Sequence, residues 1–241
     1  MPLVEELESQ GVWLFKWRSY LPLPLLVATL ALIPLKADPP REWWVWLCLA
    51  ISVLGLVIRA ATIGYAPKGT SGRNTGQQVA HYVNKTGLYS VVRHPLYVGN
   101  FFAFLGVVLY AENPWFALVY AVIFWIYYER IMYAEEAFLS QQHGESYVQW
   151  AQETPAFIPR LSGWQKSELP FSVVTVIAEE YASICAVIGM YGLLRLVESL
   201  FLATDPALDT LWAVLFGAGL VFYLIVRVRK KSGRFKTASR R

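Results

Sequence analysis

Long apolar runs constrain this chain more than any other feature. The clearest, Trp43 to Ile63, carries a single charged residue, Arg59, in 21 positions. A helix that crosses a bilayer needs about 20 mostly apolar residues, because about 30 Å of hydrocarbon is spanned at about 1.5 Å per residue. Five further runs approach this length, at about Tyr20 to Leu35, Leu96 to Tyr110, Trp115 to Met132, Val173 to Leu200 and Leu208 to Val228. Lipid offers no partner to an open backbone hydrogen bond, and the period-two alternation of a membrane barrel is absent. The expected fold is therefore all-α, a polytopic transmembrane helix bundle of about six spans.

Composition agrees. Hydrophobic residues make up 56% of the 241 and charged residues only 16%, below the roughly 25% that covers a soluble globule. Disorder, a collagen repeat and a disulfide scaffold are excluded. Cys48 and Cys185 lie in apolar runs, no C-x-x-C occurs, and the three histidines are scattered, so no metal site is expected. The acidic N-terminus, with Glu5, Glu6 and Glu8, is the wrong n-region for a cleaved signal.

Charge placement predicts the orientation. With six spans, the segments on the side of the termini hold seventeen Lys and Arg and the opposite loops hold two, Lys36 and Arg41. Both termini are expected in the cytoplasm of a bacterial inner membrane or an equivalent cell membrane. Trp43, Trp44 and Trp46 form an aromatic belt at the opposite interface. The net charge of +4 hides an asymmetry, since eight of the last fifteen residues are basic and none is acidic. This basic end, of which 229–241 is read as the cytoplasmic tail beyond the last helix, fits anionic headgroups rather than nucleic acid. The chain reads as one membrane domain, 1–241, with 171–228 as an additional helical pair.

Polar residues gather in four segments. Gly64 to Gly76 is either a plain cytoplasmic loop or one that contacts a cofactor or lipid headgroup through Lys68, Arg73 and Asn74, of which Arg73 and Asn74 are taken as substrate-binding. Thr86 to Asn100 contains Arg93 and His94 directly before Pro95, a residue favoured in the first turn of a helix. That position is the positive end of the helix and suits anions, and arginine adds a planar donor fork. Tyr97 and Asn100 follow one turn on, and Gly99 lets another group approach the backbone. A basic pair snorkelling to the interface is the structural alternative. Glu129 to Leu139 ends the fourth span with Glu135 and Glu136. An antiparallel hairpin returns these carboxylates beside Arg93, either as a simple ion pair or as part of a ligand site, and adjacent residues point about 100° apart. His143 to Trp150 reads as a short interfacial helix, followed by the proline-bounded stretch Pro155 to Pro159. Glu179 and Glu180 are either functional candidates, as ionisable residues within the membrane, or, in the favoured reading, lie at the interface before the fifth span, where they need no partner. Arg195 has no assigned role.

Together these elements resemble the integral membrane methyltransferases related to isoprenylcysteine carboxyl methyltransferase and the phospholipid methyltransferases. They are G-L-Y-S-V-V-R-H-P-L-Y-V-G, an apolar hairpin, E-E-A-F-L, H-G-E-S-Y-V-Q-W and P-A-F-I-P, between Gly87 and Pro159. His143 stands where the family usually has an aromatic residue, and Trp150 replaces a tyrosine. The resemblance implies S-adenosylmethionine as methyl donor at the cytoplasmic ends of the hairpin and a lipid or lipid-linked acceptor. It carries over Tyr89, Arg93, His94, Pro95, Tyr97, Gly99, Glu135 and Glu136 as cofactor-binding, to which Asn100 is added from its place one turn on. Arg93 and Glu136 are the catalytic candidates. Two other readings compete, a nicotinamide-dependent membrane reductase of the sterol-reductase type and a lipid-binding scaffold without activity.

Overall fold

The computed structural model describes residues 2–67, 83–202 and 206–232, with the side chains of 206–209 excepted. Among these residues the regular structure is helical, with one isolated antiparallel bridge between Gly87 and Gln165. The helices are α1 (Leu3–Trp17), α2 (Pro22–Leu32), α3 (Glu42–Tyr65), α4 (Pro95–Leu109), α5 (Pro114–His143), α6 (Glu145–Glu153), α7 (Val173–Phe201) and α8 (Pro206–Lys231).

Four of these, α3, α5, α7 and α8, are long and apolar enough to cross a bilayer. The six expected spans differ from this in two places. The first expected span is α2 with a 3-10 turn, Ile33–Leu35, joined to α1 through a 69° bend, where Pro22 and Pro24 open the second helix. The third, α4, has 15 residues and rises only about 22 Å, short of a full span. α1 itself lies in the segment read as merely polar and acidic. It forms because Glu5 and Glu6 sit in its first turn, where the helix dipole favours negative charge. Its Gly11 lets the helix lie against the backbone of Arg130 in α5.

α3 runs along α4, α1 along α5, and α7 between α3 and α8. Small residues make the α3–α4 contact possible. A Cβ on Gly99 would lie 2.5 Å from Arg59 Cγ, and one on Gly55 would collide with the backbone of Gly99 and Ala103. Ser52 Oγ donates to the Ala103 carbonyl at 2.8 Å. Close small-residue approaches of this kind replace the hydrophobic effect as the reason helices associate in lipid. The outward faces carry Val53, Val57, Leu118, Val122, Leu196, Leu220 and Leu224, all exposed, as a lipid-facing surface requires.

Caps fix where the helices begin and end. Asn113 caps α5 by accepting from Phe116 N at 3.0 Å, with Pro114 at the first helical position. Gly144, at φ +57°, stops that helix in the left-handed region. Ser172 caps α7, accepting from Thr175 N at 3.2 Å, and its own N–H donates to the Gly64 carbonyl at 2.9 Å. The start of α7 is thereby tied to the end of α3. α5 has 30 residues and rises about 45 Å. That is longer than a bilayer's hydrocarbon requires, and Glu135 and Glu136 lie in its last third.

Candidate active site at the end of the α4–α5 hairpin

The site begins with a backbone arrangement. The chain before α4 runs extended beside the chain after α6. Arg93 N donates to the Pro155 carbonyl at 2.9 Å, His94 N to Ala156 at 3.1 Å, and Arg160 N returns to Val91 at 2.9 Å. Gly87, at φ +64°, opens the 3-10 turn Leu88–Ser90 that precedes this pairing, and its N–H reaches the Gln165 carbonyl at 3.0 Å. Pro155 and Pro159 lack N–H groups, so this stretch is excluded from a helix and serves as an acceptor edge.

The side chains then converge. The Arg93 guanidinium meets Glu136 in two parallel bonds, Nε to Oε1 at 3.0 Å and Nη2 to Oε2 at 3.1 Å. Its Nη1 donates to the carbonyls of Ala151 and, at 2.9 Å, Thr154 at the end of α6. His94 bridges the two carboxylates, with Nε2 2.9 Å from Glu136 Oε1 and Nδ1 3.4 Å from Glu135 Oε2. Tyr97 OH donates to Glu135 Oε2 at 2.9 Å, and its ring lies 5.6 Å from the His94 ring in a stacked arrangement. Burial disfavours a charged His94, but the hydrogen bonds and charges of Glu135 and Glu136 outweigh it and raise its pKa above the ordinary histidine value.

α6 roofs this cluster, and it and the last residue of α5 supply polar atoms that the sequence pattern does not mark. Tyr147 is 1% exposed, and neither its OH nor Trp150 Nε1 nor His143 Nε2 has a hydrogen-bond partner among the described residues. Tyr147 lies within electrostatic range of Glu136, Arg93 and Glu135, and burial pushes its pKa up. A cavity of about 340 Å³ opens nearby, with Lys85, Ser90, Ser146, Trp150, Thr154 and Arg160 in its walls. Enclosed polar atoms without partners are uncommon in proteins, and they fit a polar ligand whose own groups complete the set.

The remaining expected residues fall in different places. Pro95 is buried at the first position of α4, and Tyr89 lies half-buried in the 3-10 turn Leu88–Ser90. Gly99 faces α3, so the group that approaches its backbone is the Arg59 side chain. Asn100 joins a network inside the bundle, accepting from Arg59 Nη1 at 2.6 Å and donating to Tyr128 OH at 3.0 Å. Lys68, Arg73 and Asn74 lie outside the described residues.

Arg59 also corrects the reading of α7. Glu180 is 1% exposed and takes two bonds from Arg59, Nε at 2.8 Å and Nη2 at 2.7 Å. Glu179 pairs with Lys230 at 3.1 Å. Neither glutamate is a partnerless interfacial residue, because α7 packs both of them against neighbouring helices. The available signal was the presence of charges, Arg59 and Glu180, within two apolar helices, since intramembrane ions need partners.

The geometry defines a membrane-embedded helical bundle with a clustered, polar site at one interface. Residues 43–146, a little under half of the chain, match the model of the phospholipid methyltransferase family. The match begins at α3, before the motif at Gly87, so it includes the helix that supplies Arg59. Among similar proteins is a nickel-cobalt-cadmium resistance protein of Alcaligenes xylosoxydans xylosoxydans, 32% identical over 140 residues, which covers 57% of this chain and 63% of that one. Protein-S-isoprenylcysteine O-methyltransferase B of Arabidopsis thaliana is 32% identical over 122 residues, 49% of this chain and 61% of its own. The Homo sapiens protein-S-isoprenylcysteine O-methyltransferase is 27% identical over 121 residues, 48% of this chain and 43% of its own. The chain thus spans less than two thirds of the length of these curated relatives. No solved structure matches it.

Proposed function

We propose that this chain is an S-adenosylmethionine-dependent methyltransferase that methylates a lipid or lipid-linked acceptor at the cytoplasmic face of the membrane. One observation carries the reading. Within the family-matching region, Arg93, His94 and Tyr97 converge on Glu135 and Glu136, beneath a helix that encloses Tyr147 OH and Trp150 Nε1 without partners. Two relatives are named as isoprenylcysteine O-methyltransferases, which supports an acceptor attached to an isoprenoid chain. The exposed apolar faces of α3 and α5 border a membrane from which such an acceptor can enter.

When bound, the donor supplies a methyl carbon made electrophilic by its sulfonium. The carboxylates of Glu135 and Glu136 suit its amino group and ribose hydroxyls, and Tyr147 and Trp150 offer hydrogen-bond donors. Tyr89 and Pro95 shape the α4 side of the same region, while Gly99 and Asn100 support it from within the bundle by seating α4 on Arg59 of α3 and Tyr128 of α5. Arg93 holds Glu136 and the end of α6 in register, so its contribution is to positioning, which is the main source of rate for an in-line transfer with a neutral leaving group. A carboxylate or phosphate acceptor needs no base. An amine, alcohol or thiol acceptor would give its proton to Glu136 or His94. The segment with Arg73 and Asn74 is proposed to contact the acceptor. Both termini are proposed to be cytoplasmic in a bacterial inner membrane or its equivalent, with the basic tail on anionic headgroups.

The test is equilibrium binding of S-adenosylmethionine and of NADPH to the full chain in detergent, with Glu136→Gln and Arg93→Ala alongside. Binding of S-adenosylmethionine that both variants weaken at least tenfold is expected. Binding of NADPH alone, or of neither, overturns the proposal. Transfer of a tritiated methyl group into a total lipid extract then identifies the acceptor.

A further inference from the structure

We propose a second binding site at the opposite end of the bundle, between α7 and α8, which takes the ester region and adjoining acyl chain of a membrane glycerolipid. It lies outside the family-matching region and does not depend on the methyl-transfer reading. A cavity of about 240 Å³ opens there, with Gly192, Leu196 and Ser199 of α7 and Trp212, Ala213 and Phe216 of α8 in its walls. Gly192 makes the space. A Cβ on it would come within 3.1 Å of the Phe216 ring. The flanking Leu193, Leu200 and Leu220 are exposed, so the mouth opens onto the lipid-facing surface.

Trp212 gives the cavity its chemistry. It is 3% exposed, and its ring is fixed between Trp46, at 5.7 Å, and Tyr191, at 5.9 Å. Its Nε1 is enclosed and has no acceptor among the described residues. A rigidly held indole N–H in an apolar wall calls for a ligand oxygen.

Arg195 also borders the cavity, and its partners decide the sign of the ligand. Its Nη1 is 2.9 Å from Glu198 and 3.2 Å from Glu42, and Tyr110 OH donates to Glu198. Two carboxylates already face this guanidinium, so the site does not require an anion. The occupant therefore presents a neutral acceptor, a carbonyl, with hydrocarbon on either side of it. The volume falls below the roughly 300 Å³ at which pockets for whole small molecules begin, which suits one chain segment and its ester. The depth suits it as well. Trp212 and Arg195 lie six residues from the ends of their helices, about 9 Å along the axis, where headgroup gives way to hydrocarbon.

The experiment uses the full chain in phosphatidylcholine nanodiscs that contain a trace of diester phosphatidylcholine with a diazirine near the ester end of one acyl chain. Cross-linked peptides are mapped by mass spectrometry. Labelling of 190–200 and 212–216 is expected to exceed labelling of the lipid-facing Leu118 and Val122 region of α5 several-fold. Trp212→Phe, which keeps a ring but removes the donor, should lower it at least threefold, and an ether-linked analogue should lower it equally with the unaltered chain. Ala213→Phe, which fills the cavity, should reduce it to the α5 level. If that variant does not fold, Trp212→Phe and the ether analogue decide. Labelling no greater than that of α5, or labelling indifferent to both the Trp212 change and the ether link, overturns the proposal.

Discussion

Arg93 donates to four acceptors at once, the two oxygens of Glu136 and the carbonyls of Ala151 and Thr154. A lysine keeps the charge but not the fork. Arg93→Lys is therefore expected to lower methyl transfer at least 100-fold through misplacement of Glu136 and the α6 roof, with the membrane bundle still folded. Rate in detergent and circular dichroism read the two effects separately. His94 adds a pH dependence. Its pKa is raised in the folded state, so its stabilising interaction with Glu135 and Glu136 is complete below the ordinary value of about 6.5 and lost as pH climbs through the raised one. The Tm gap between the unaltered chain and His94→Gln should be widest below about pH 6 and shrink as pH rises. A gap that widens with pH would contradict the assignment.

At the scale of the helices, two features hold the site over the bundle. The first is the close α3–α4 contact. Gly55→Ala places a methyl group against the backbone of Gly99 and Ala103, which has no room to yield, and should cost about 1–3 kcal/mol. Gly217→Ala, with open space around it, should cost nothing measurable. Thermal unfolding in one detergent compares them. The second is the Arg59–Glu180 pair that ties α3 to α7. Arg59→Ala strands a buried carboxylate and should cost about 3–5 kcal/mol, whereas the double change Arg59→Met with Glu180→Leu should recover most of that loss. Equal destabilisation by the single and double changes would show that the pair matters only through packing. Of these elements, the apolar helices were legible from hydropathy alone. α1 was not, because its apolar residues are too few to signal a span and its helix is stabilised by docking on α5.

Across the whole molecule, the polar site and the Trp212 cavity stand at opposite ends of the same bundle. The orientation proposed from Lys and Arg placement puts the first in the cytoplasm. Cysteine placed at Ser232, just after α8, should then react with an impermeant maleimide only after the membrane is opened. Labelling of intact cells would reverse the topology and move the site to the other face.

The sequence by itself determined the class of fold, because a chain with this apolar content can satisfy its backbone in lipid only as helices. It also marked the chemical cluster, because arginine, histidine and paired glutamates are costly near a membrane and stand out against apolar surroundings. Tertiary structure alone decided which charges meet. Arg59 and Glu180 lie 121 positions apart, and only the packing of α3 on α7 shows that they are partners. The same holds for Gly99 and Asn100, which the packing assigns to α3 and to Tyr128, and for Tyr147 and Trp212. Pattern tells which residues are apolar or charged, whereas an unmet hydrogen bond is a property of three-dimensional neighbours, and those are set by how the helices close on one another.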